Sequence, residues 1–225
     1  MEASQRVVIK DWIVRTHIPE GGGPCPVFLL LHGWTGDENA MWIFTPRLPK
    51  NALILAPRGL YAAGMGGFSW YTEQARAWPK VEDFATAVER LLELLNPALF
   101  PQGNFDELHL VGFSQGAAAA YAFTLLYPER VSSAAGLAGF MPEGAKSLAV
   151  GGRLAGLPVF VTHGTRDRLV PVERGRESAR ILEEAGALVT YCEDDVGHKL
   201  SATCFRGLES FYKNKLRGCQ EKNEV

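Results

Sequence analysis

One short stretch constrains this chain more than any other. Leu108-His109-Leu110-Val111 is a strand-forming run that stops at Gly112, and Ala117-Ala118-Ala119-Ala120 opens an alanine-rich helical stretch soon after. Between them lies Phe113-Ser114-Gln115-Gly116. A strand that turns this abruptly into a helix forces strained backbone angles on the serine. It also brings the chain so close to itself that the flanking positions tolerate little more than hydrogen. The turn lifts Ser114 Oγ above the end of a sheet, at a helix N-terminus whose N–H groups face any developing negative charge. Chance alone yields roughly 0.1 Gly-x-Ser-x-Gly pentapeptides in a chain of this composition. The strand before and the small-residue helix after are what make it a nucleophile elbow.

The rest of the chain suits that reading. At 225 residues it is expected to form one domain over 1–225, with a charged, frayed tail from about 215. It is 47% hydrophobic and 21% charged with a net charge of −2, and no block of like charge points to nucleic acid or an anionic membrane surface. The first residues lack the apolar core of a signal peptide, and no apolar run is long enough to span a membrane. Cys25, Cys192, Cys204 and Cys219 have neither C-x-x-C spacing nor disulfide density, which suits a reducing cytosol. A cytoplasmic location is therefore expected.

Along the chain, apolar runs of strand length fall at 27–31, 52–56, 108–112, 131–137, 158–162 and 187–192, with one or two earlier strands in 6–18. Helical periodicity marks 81–95, the stretch after Ser114 to about 126, 172–184, and a last helix carrying Phe205, Leu208 and Phe211. Residues 64–71 read as a glycine- and aromatic-rich loop, and 143–157 show little periodicity. Strands alternating with helices imply an α/β fold around a mainly parallel sheet with helices on both faces, its chemistry at the carboxyl ends of the strands.

Three candidates gather at that edge. Ser114 follows the strand 108–112, Asp167 follows 158–162, and His198 follows 187–192. The order Ser, Asp, His is that of the α/β-hydrolases. A serine hydroxyl needs a base to take its proton, and the base needs a carboxylate to hold its tautomer. His109 reads as a core residue of the strand feeding the elbow, His163 as ordering the Asp167 turn, and His32 as a structural hydrogen-bonder. Asp194 and Asp195, rivals of Asp167, lie so near His198 that they read as solvating its loop. For the tetrahedral oxyanion, the N–H of Gln115 is one donor, and the loop His32-Gly33-Trp34 supplies the other from Trp34.

Leu31-His32-Gly33 with Gly36-Asp37, Ser69-Trp70-Tyr71, Gly112-Phe113-Ser114-Gln115-Gly116, His163-Gly164-Thr165-Arg166-Asp167 with Val170-Pro171, and Gly197-His198 occur in that order. In these motifs the chain resembles the phospholipase/carboxylesterase family, which includes small bacterial carboxylesterases and acyl-protein thioesterases. The resemblance runs from about 27 to 212. It implies an α/β-hydrolase fold with little or no lid, Ser114, Asp167 and His198 as the triad, and Trp34 and Gln115 at the oxyanion hole. The chain departs from the family at Trp34, where leucine is usual, and at Thr72-Glu73-Gln74, where relatives carry an aspartate. Trp34 is expected to narrow the acyl pocket.

Phe68, Trp70, Phe140, Met141, Leu169 and Leu200 lie in segments expected to line the pocket, and apolar walls suit a small uncharged ester. No cofactor or metal is implied. The expected activity is hydrolysis of carboxylic esters of short to medium acyl chain through an acyl-enzyme on Ser114. The alternatives are thioester cleavage on acylated proteins or lysophospholipid hydrolysis by the same triad, and, more remotely, a non-catalytic ligand-binding protein on the same fold. Oligomeric state is open.

Overall fold

In the computed structural model, which describes residues 4–20, 23–72 and 78–220 with side chains to residue 213, the apolar runs pair into one eight-stranded sheet. β1 (Gln5–Ile9) and β2 (Trp12–His17) form a hairpin, followed by β3 (Cys25–Leu31) and β4 (Leu53–Pro57). A small separate hairpin, β5 (Tyr61–Ala62) and β6 (Phe68–Ser69), puts its second strand inside the stretch 64–71 read as a loop. Then come α1 (Ala85–Leu94), β7 (Gly103–Phe113), α2 (Gln115–Leu126), β8 (Ser133–Leu137), α3 (Ala145–Leu148), β9 (Pro158–Gly164), α4 (Val172–Glu184), β10 (Leu188–Asp194) and α5 (Ala202–Gln220). The sheet order is β1-β2-β4-β3-β7-β8-β9-β10. β1, β2 and β4 pair antiparallel, and every pairing from β4 to β10 is parallel.

The continuous apolar runs follow from burial on both faces. Along β3, Val27, Leu29 and Leu31 point into one layer with residues of α1, α2 and α4. Phe28 and Leu30 point into the other, with Met41 and Phe44 of the 3-10 segment Ala40–Arg47 and with Leu208, Phe211 and Tyr212 of α5. Each such side chain contributes about 1.5–3 kcal/mol by leaving water. α2 has no polar face because its residues from Gln115 to Leu125 are all buried. Its alanines let it approach the sheet closely, and β8 answers with Gly136, where a Cβ would stand 1.8 Å from the Tyr121 hydroxyl.

Several boundaries move for local reasons. The helix expected from 81 starts as a 3-10 turn, Val81–Phe84, with the Asp83 carboxylate accepting the Lys80 N–H at 2.7 Å. The run 131–137 becomes a strand only at Ser133, because Pro128–Arg130 forms a 3-10 turn. β10 extends to Asp194 because β9 still offers Gly164 to pair with it. The expected frayed tail begins within α5, which continues to Gln220; residues 221–225 lie outside the described residues, as do Glu73 and Gln74.

The cysteine expectation is corrected. Cys192 and Cys204 form a disulfide, and Cys25 is a buried thiol. Their separation of 12 residues matches no motif; the pairing arises because the chain doubles back from the end of β10 into the first turn of α5. The cytosolic reading thereby loses its support from cysteine spacing. Among the described residues no helix is long and apolar enough to cross a membrane.

Candidate active site

The elbow is as tight as its glycines demand. Ser114 sits at φ 54° and ψ −117°, a conformation that costs of order 1–3 kcal/mol for a non-glycine residue. A Cβ on Gly112 would lie 2.1 Å from Gly116 O, and one on Gly116 would lie 2.0 Å from Leu31 O. The Ser114 N–H is held by Leu137 O at 2.8 Å, and its hydroxyl does not cap α2. The side chain is therefore not spent on structure.

Asp167 and His198 meet at the same edge. Asp167 is buried, and its Oδ1 accepts the N–H groups of Leu169 at 2.9 Å and Val170 at 3.0 Å. Its Oδ2 lies 2.6 Å from His198 Nδ1, so the other imidazole nitrogen, Nε2, is the one left to take a proton. The His198 ring packs on Phe113, the residue before Ser114, at 5.0 Å between centroids. His163 Nε2 also comes within 3.4 Å of Asp167 Oδ2, but this is no ion pair. Burial pushes the His163 imidazole down and keeps it neutral, and its Nε2–H goes to Val170 O at 2.8 Å. His163 orders the turn, as expected. Asp195 is engaged by Arg166 at 2.7 Å, and Asp194 caps the Asp195 N–H at 2.8 Å, so both belong to the loop rather than to the base. His109 is a buried core residue stacked on Phe28, with Nδ1 2.7 Å from Ser133 Oγ.

On the other side of Ser114 stands the loop from His32. A Cβ on Gly33 would touch Ser114 Cβ at 3.3 Å, so the Gly33-Trp34 turn lies against the nucleophile. Gln115, at the first position of α2, presents an N–H with no partner inside the helix. Its side chain has a role that the sequence did not reveal. Gln115 Oε1 accepts the Trp70 N–H at 3.0 Å, while Nε2 donates to Ser69 Oγ at 3.0 Å. The Trp70 indole N–H then donates to His32 O at 2.7 Å. His32 Nε2 accepts the Gly59 N–H at 2.8 Å and Nδ1 meets Gly33 O at 2.7 Å, the neutral state that burial favours by lowering its pKa. The loop's far end is held by buried Glu38, bonded to Arg58 at 2.7 and 2.9 Å and to Arg6 at 2.8 Å. Burial alone would raise the Glu38 pKa, but the Arg58 and Arg6 hydrogen bonds outweigh it and hold it at about 2.

A cavity of about 420 Å³ opens beside Gly33 and Phe113, between the 3-10 segment Ala40–Arg47 and the start of α5. Its walls are apolar, chiefly Trp34, Ile43, Phe44, Phe113, Leu200 and Phe205. Of the residues expected at a substrate pocket, Trp34 and Leu200 line this cavity and the others lie elsewhere. Trp70 is fully buried behind the loop from His32. Phe140 and Met141 pack in the layer of α1 and α2, with Phe140 against Trp78 at 4.7 Å. Phe68 ties the loop through its backbone, to Thr35 N at 3.0 Å and Gly36 O at 2.9 Å, and places its ring under Arg58. Leu169 is 72% exposed beside Asp167, outside the cavity. Ile43 and Phe44 went unnoticed because nothing periodic marks that segment, and Phe205 because helical spacing made it look like core. Among the described residues no group of three or more His, Cys, Asp or Glu could hold a metal ion.

This arrangement has relatives. The model of the phospholipase/carboxylesterase family matches residues 19–215. Carboxylesterase SOBER1 of Arabidopsis thaliana is 29% identical over 134 residues, which span 59% of this chain and 59% of that protein. Acyl-protein thioesterase 1 of Schizosaccharomyces pombe is 28% identical over 186 residues, 79% of each chain. Among solved structures, a Bacillus cereus carboxylesterase superposes with a TM-score of 0.80 at 24% identity, covering 92% of this chain and 95% of its own, a likeness of fold. With a mainly parallel sheet, a strained serine at its centre and a family match over most of its length, the chain belongs to the phospholipase/carboxylesterase family of α/β-hydrolases.

Proposed function

We propose that the protein is a serine esterase that cleaves uncharged carboxylic esters of short to medium acyl chain. The observation that carries this reading is the 2.6 Å contact of His198 Nδ1 with Asp167 Oδ2, made by an imidazole packed on the residue before a strained, uncapped Ser114. In this mechanism His198 Nε2 takes the Ser114 proton as Oγ attacks the ester carbonyl carbon. The tetrahedral oxyanion is received by the N–H groups of Gln115 and Trp34. Collapse expels the alcohol, which leaves with the proton from His198, and Ser114 keeps the acyl group. Water, deprotonated by His198, then releases the acid and restores the serine. Asp167 holds the imidazole in the tautomer this needs and stabilises the imidazolium. The apolar cavity of about 420 Å³ is of a size to seat an acyl chain.

A fluorophosphonate probe tests the assignment directly. The protein should be labelled once, at Ser114, and Ser114→Ala should abolish both labelling and hydrolysis of p-nitrophenyl esters. Full labelling of Ser114→Ala would remove the assignment. Thioester cleavage is a second reading, favoured by the match to an acyl-protein thioesterase over 79% of each chain. Comparing kcat/KM for an ester and a thioester of the same acyl chain separates the two.

A further inference from the structure

The Cys192–Cys204 bond takes no part in the chemistry above, yet it encloses it. Cys192 is near the end of β10 and Cys204 in the first turn of α5, and the segment 193–203 between them carries His198 and Leu200. We propose that this disulfide is a positioning device for the general base and the acyl wall, so that the activity answers to the redox state of Cys192 and Cys204. The inference rests on the esterase reading of Ser114, Asp167 and His198.

The enclosed segment has two unlike halves. The first is clipped to the loop that carries Asp167. Thr165 N–H donates to Asp194 O at 2.9 Å, Arg166 N–H donates to Val196 O at 3.0 Å, and the Arg166 guanidinium pairs with Asp195 at 2.7 Å. Gly164 lies so close that a Cβ there would stand 2.3 Å from Val196 O. The acid and this half of the segment therefore move together.

The second half is held by contacts within the enclosure. Lys199 N–H donates to Gly197 O at 2.7 Å, and Cys204 N–H donates to Ser201 Oγ at 3.1 Å. The Ser201 and Thr203 hydroxyls near Asp194, at the end of β10, help to hold its carboxyl below the usual carboxylate range. Beyond that contact, among the described residues the hold of this half on the sheet comes from the packing of Leu200 and Phe205 in the second apolar layer and from the covalent bond to β10. Leu200 and Phe205 are the same residues that wall the cavity, and Phe205 stacks on Phe44 across it at 5.4 Å between centroids. The bond thus immobilises one wall of the acyl site and the residue two positions from the base.

A dithiol opens it by attack on Cys192, a half-buried residue, whereas Cys204 is 1% exposed. The attacking thiolate forms a mixed disulfide with Cys192 and releases Cys204. The second thiol of the reductant then displaces Cys192, closing the reductant to its own disulfide and leaving thiols on both residues. With the link gone, the first turn of α5 can move. Leu200 and Phe205 no longer set a fixed end to the cavity, and His198 keeps Asp167 while its ring loses a fixed seat on Phe113, the residue before Ser114. A misplacement of about 1 Å in a catalytic group costs up to about 100-fold in rate.

The test compares the full-length protein before and after dithiothreitol, with thiols counted by alkylation and mass. The oxidised form should hydrolyse p-nitrophenyl esters with a defined chain-length optimum. The reduced form should lose about tenfold in kcat/KM at that optimum, with a broadened chain-length profile and slower fluorophosphonate labelling. Oxidised glutathione should restore all three. The paired substitution Cys192→Ser with Cys204→Ser should reproduce the reduced values and ignore dithiothreitol, while Cys25→Ser should respond as the wild type does. Should the paired variant misfold, reduction and reoxidation of the wild type decide the matter alone. The proposal is overturned if kcat/KM and the chain-length profile stay within twofold on full reduction, or if Cys192 and Cys204 cannot be made to pair. An oxidised protein that neither turns over esters nor takes the probe would instead sink the esterase reading.

Discussion

The two flanks of Ser114 are fastened by different physics. On the flank proposed to hold the oxyanion, the loop from His32 to Glu38 is held by a polar network: Gln115 to Ser69 and Trp70, Trp70 to His32, His32 to Gly59, and Glu38 to two arginines. On the flank of the proposed base, His198 packs on Phe113 and rides on a segment with a buried carboxylate contact, a backbone clip and a covalent tie. The difference suits the tasks. Backbone donors must already be in place when charge appears, because reorganising them would cost the energy they supply. An imidazole that must pick up a proton and hand it on needs only its axis held.

The comparison is tested most severely at its centre. Asp167→Asn should leave the fold intact, as judged by circular dichroism, yet lower kcat about 10⁴-fold on esters, because the amide favours the wrong imidazole tautomer. Little loss would mean that the base is not organised by this carboxylate. On the opposite flank, Gln115→Ala keeps its backbone N–H but leaves the Trp70 N–H without its acceptor. We expect kcat to fall about 10²-fold, with KM nearly unchanged and about 1–3 kcal/mol lost in urea unfolding. An unaltered kcat would show that the network serves stability alone.

Glu38 separates the flanks by pH. Its pKa lies at about 2 in the folded protein against an ordinary 4.5, so the unfolded chain binds more protons between those values. Its contribution is complete above the unfolded pKa and is lost as pH falls through the folded one. The stability gap between wild type and Glu38→Gln, of order 2–3 kcal/mol at neutral pH, should therefore shrink steadily below about pH 4.5. Urea midpoints at a series of pH values measure it, and a gap independent of pH would refute the role of the ion pairs. The smallest effect belongs to the cavity rim. Ile43→Ala removes an exposed wall residue and should change kcat/KM for the longest accepted acyl chain by about threefold, leaving short esters unaffected.

The elbow was legible in the sequence because its constraints are local. Gly112 and Gly116 answer to atoms of the same turn or the strand beside it, and a period of two or of 3.6 reports burial wherever a whole face is covered. The order of Ser114, Asp167 and His198 was legible for a related reason, since each follows a recognisable strand and parallel strands deliver their ends to one edge. The aromatics were not. Trp34, Phe68, Trp70 and Phe140 have like composition and like glycine-rich surroundings, but one lines the cavity, one props a loop, one bonds His32 and one packs edge-on against Trp78.

What the order of residues determined by itself was the mainly parallel sheet, the strained serine and the candidates Asp167 and His198 that meet near it, since these follow from propensity, from glycine positions and from strands that deliver their ends to one edge. Only the tertiary structure decided that Gln115 fastens the loop from His32 through Trp70, that Glu38 is buried between Arg58 and Arg6, and that Cys192 meets Cys204. Each of these depends on how separate segments approach one another in space, and contact energy is a function of distance, not of position along the chain.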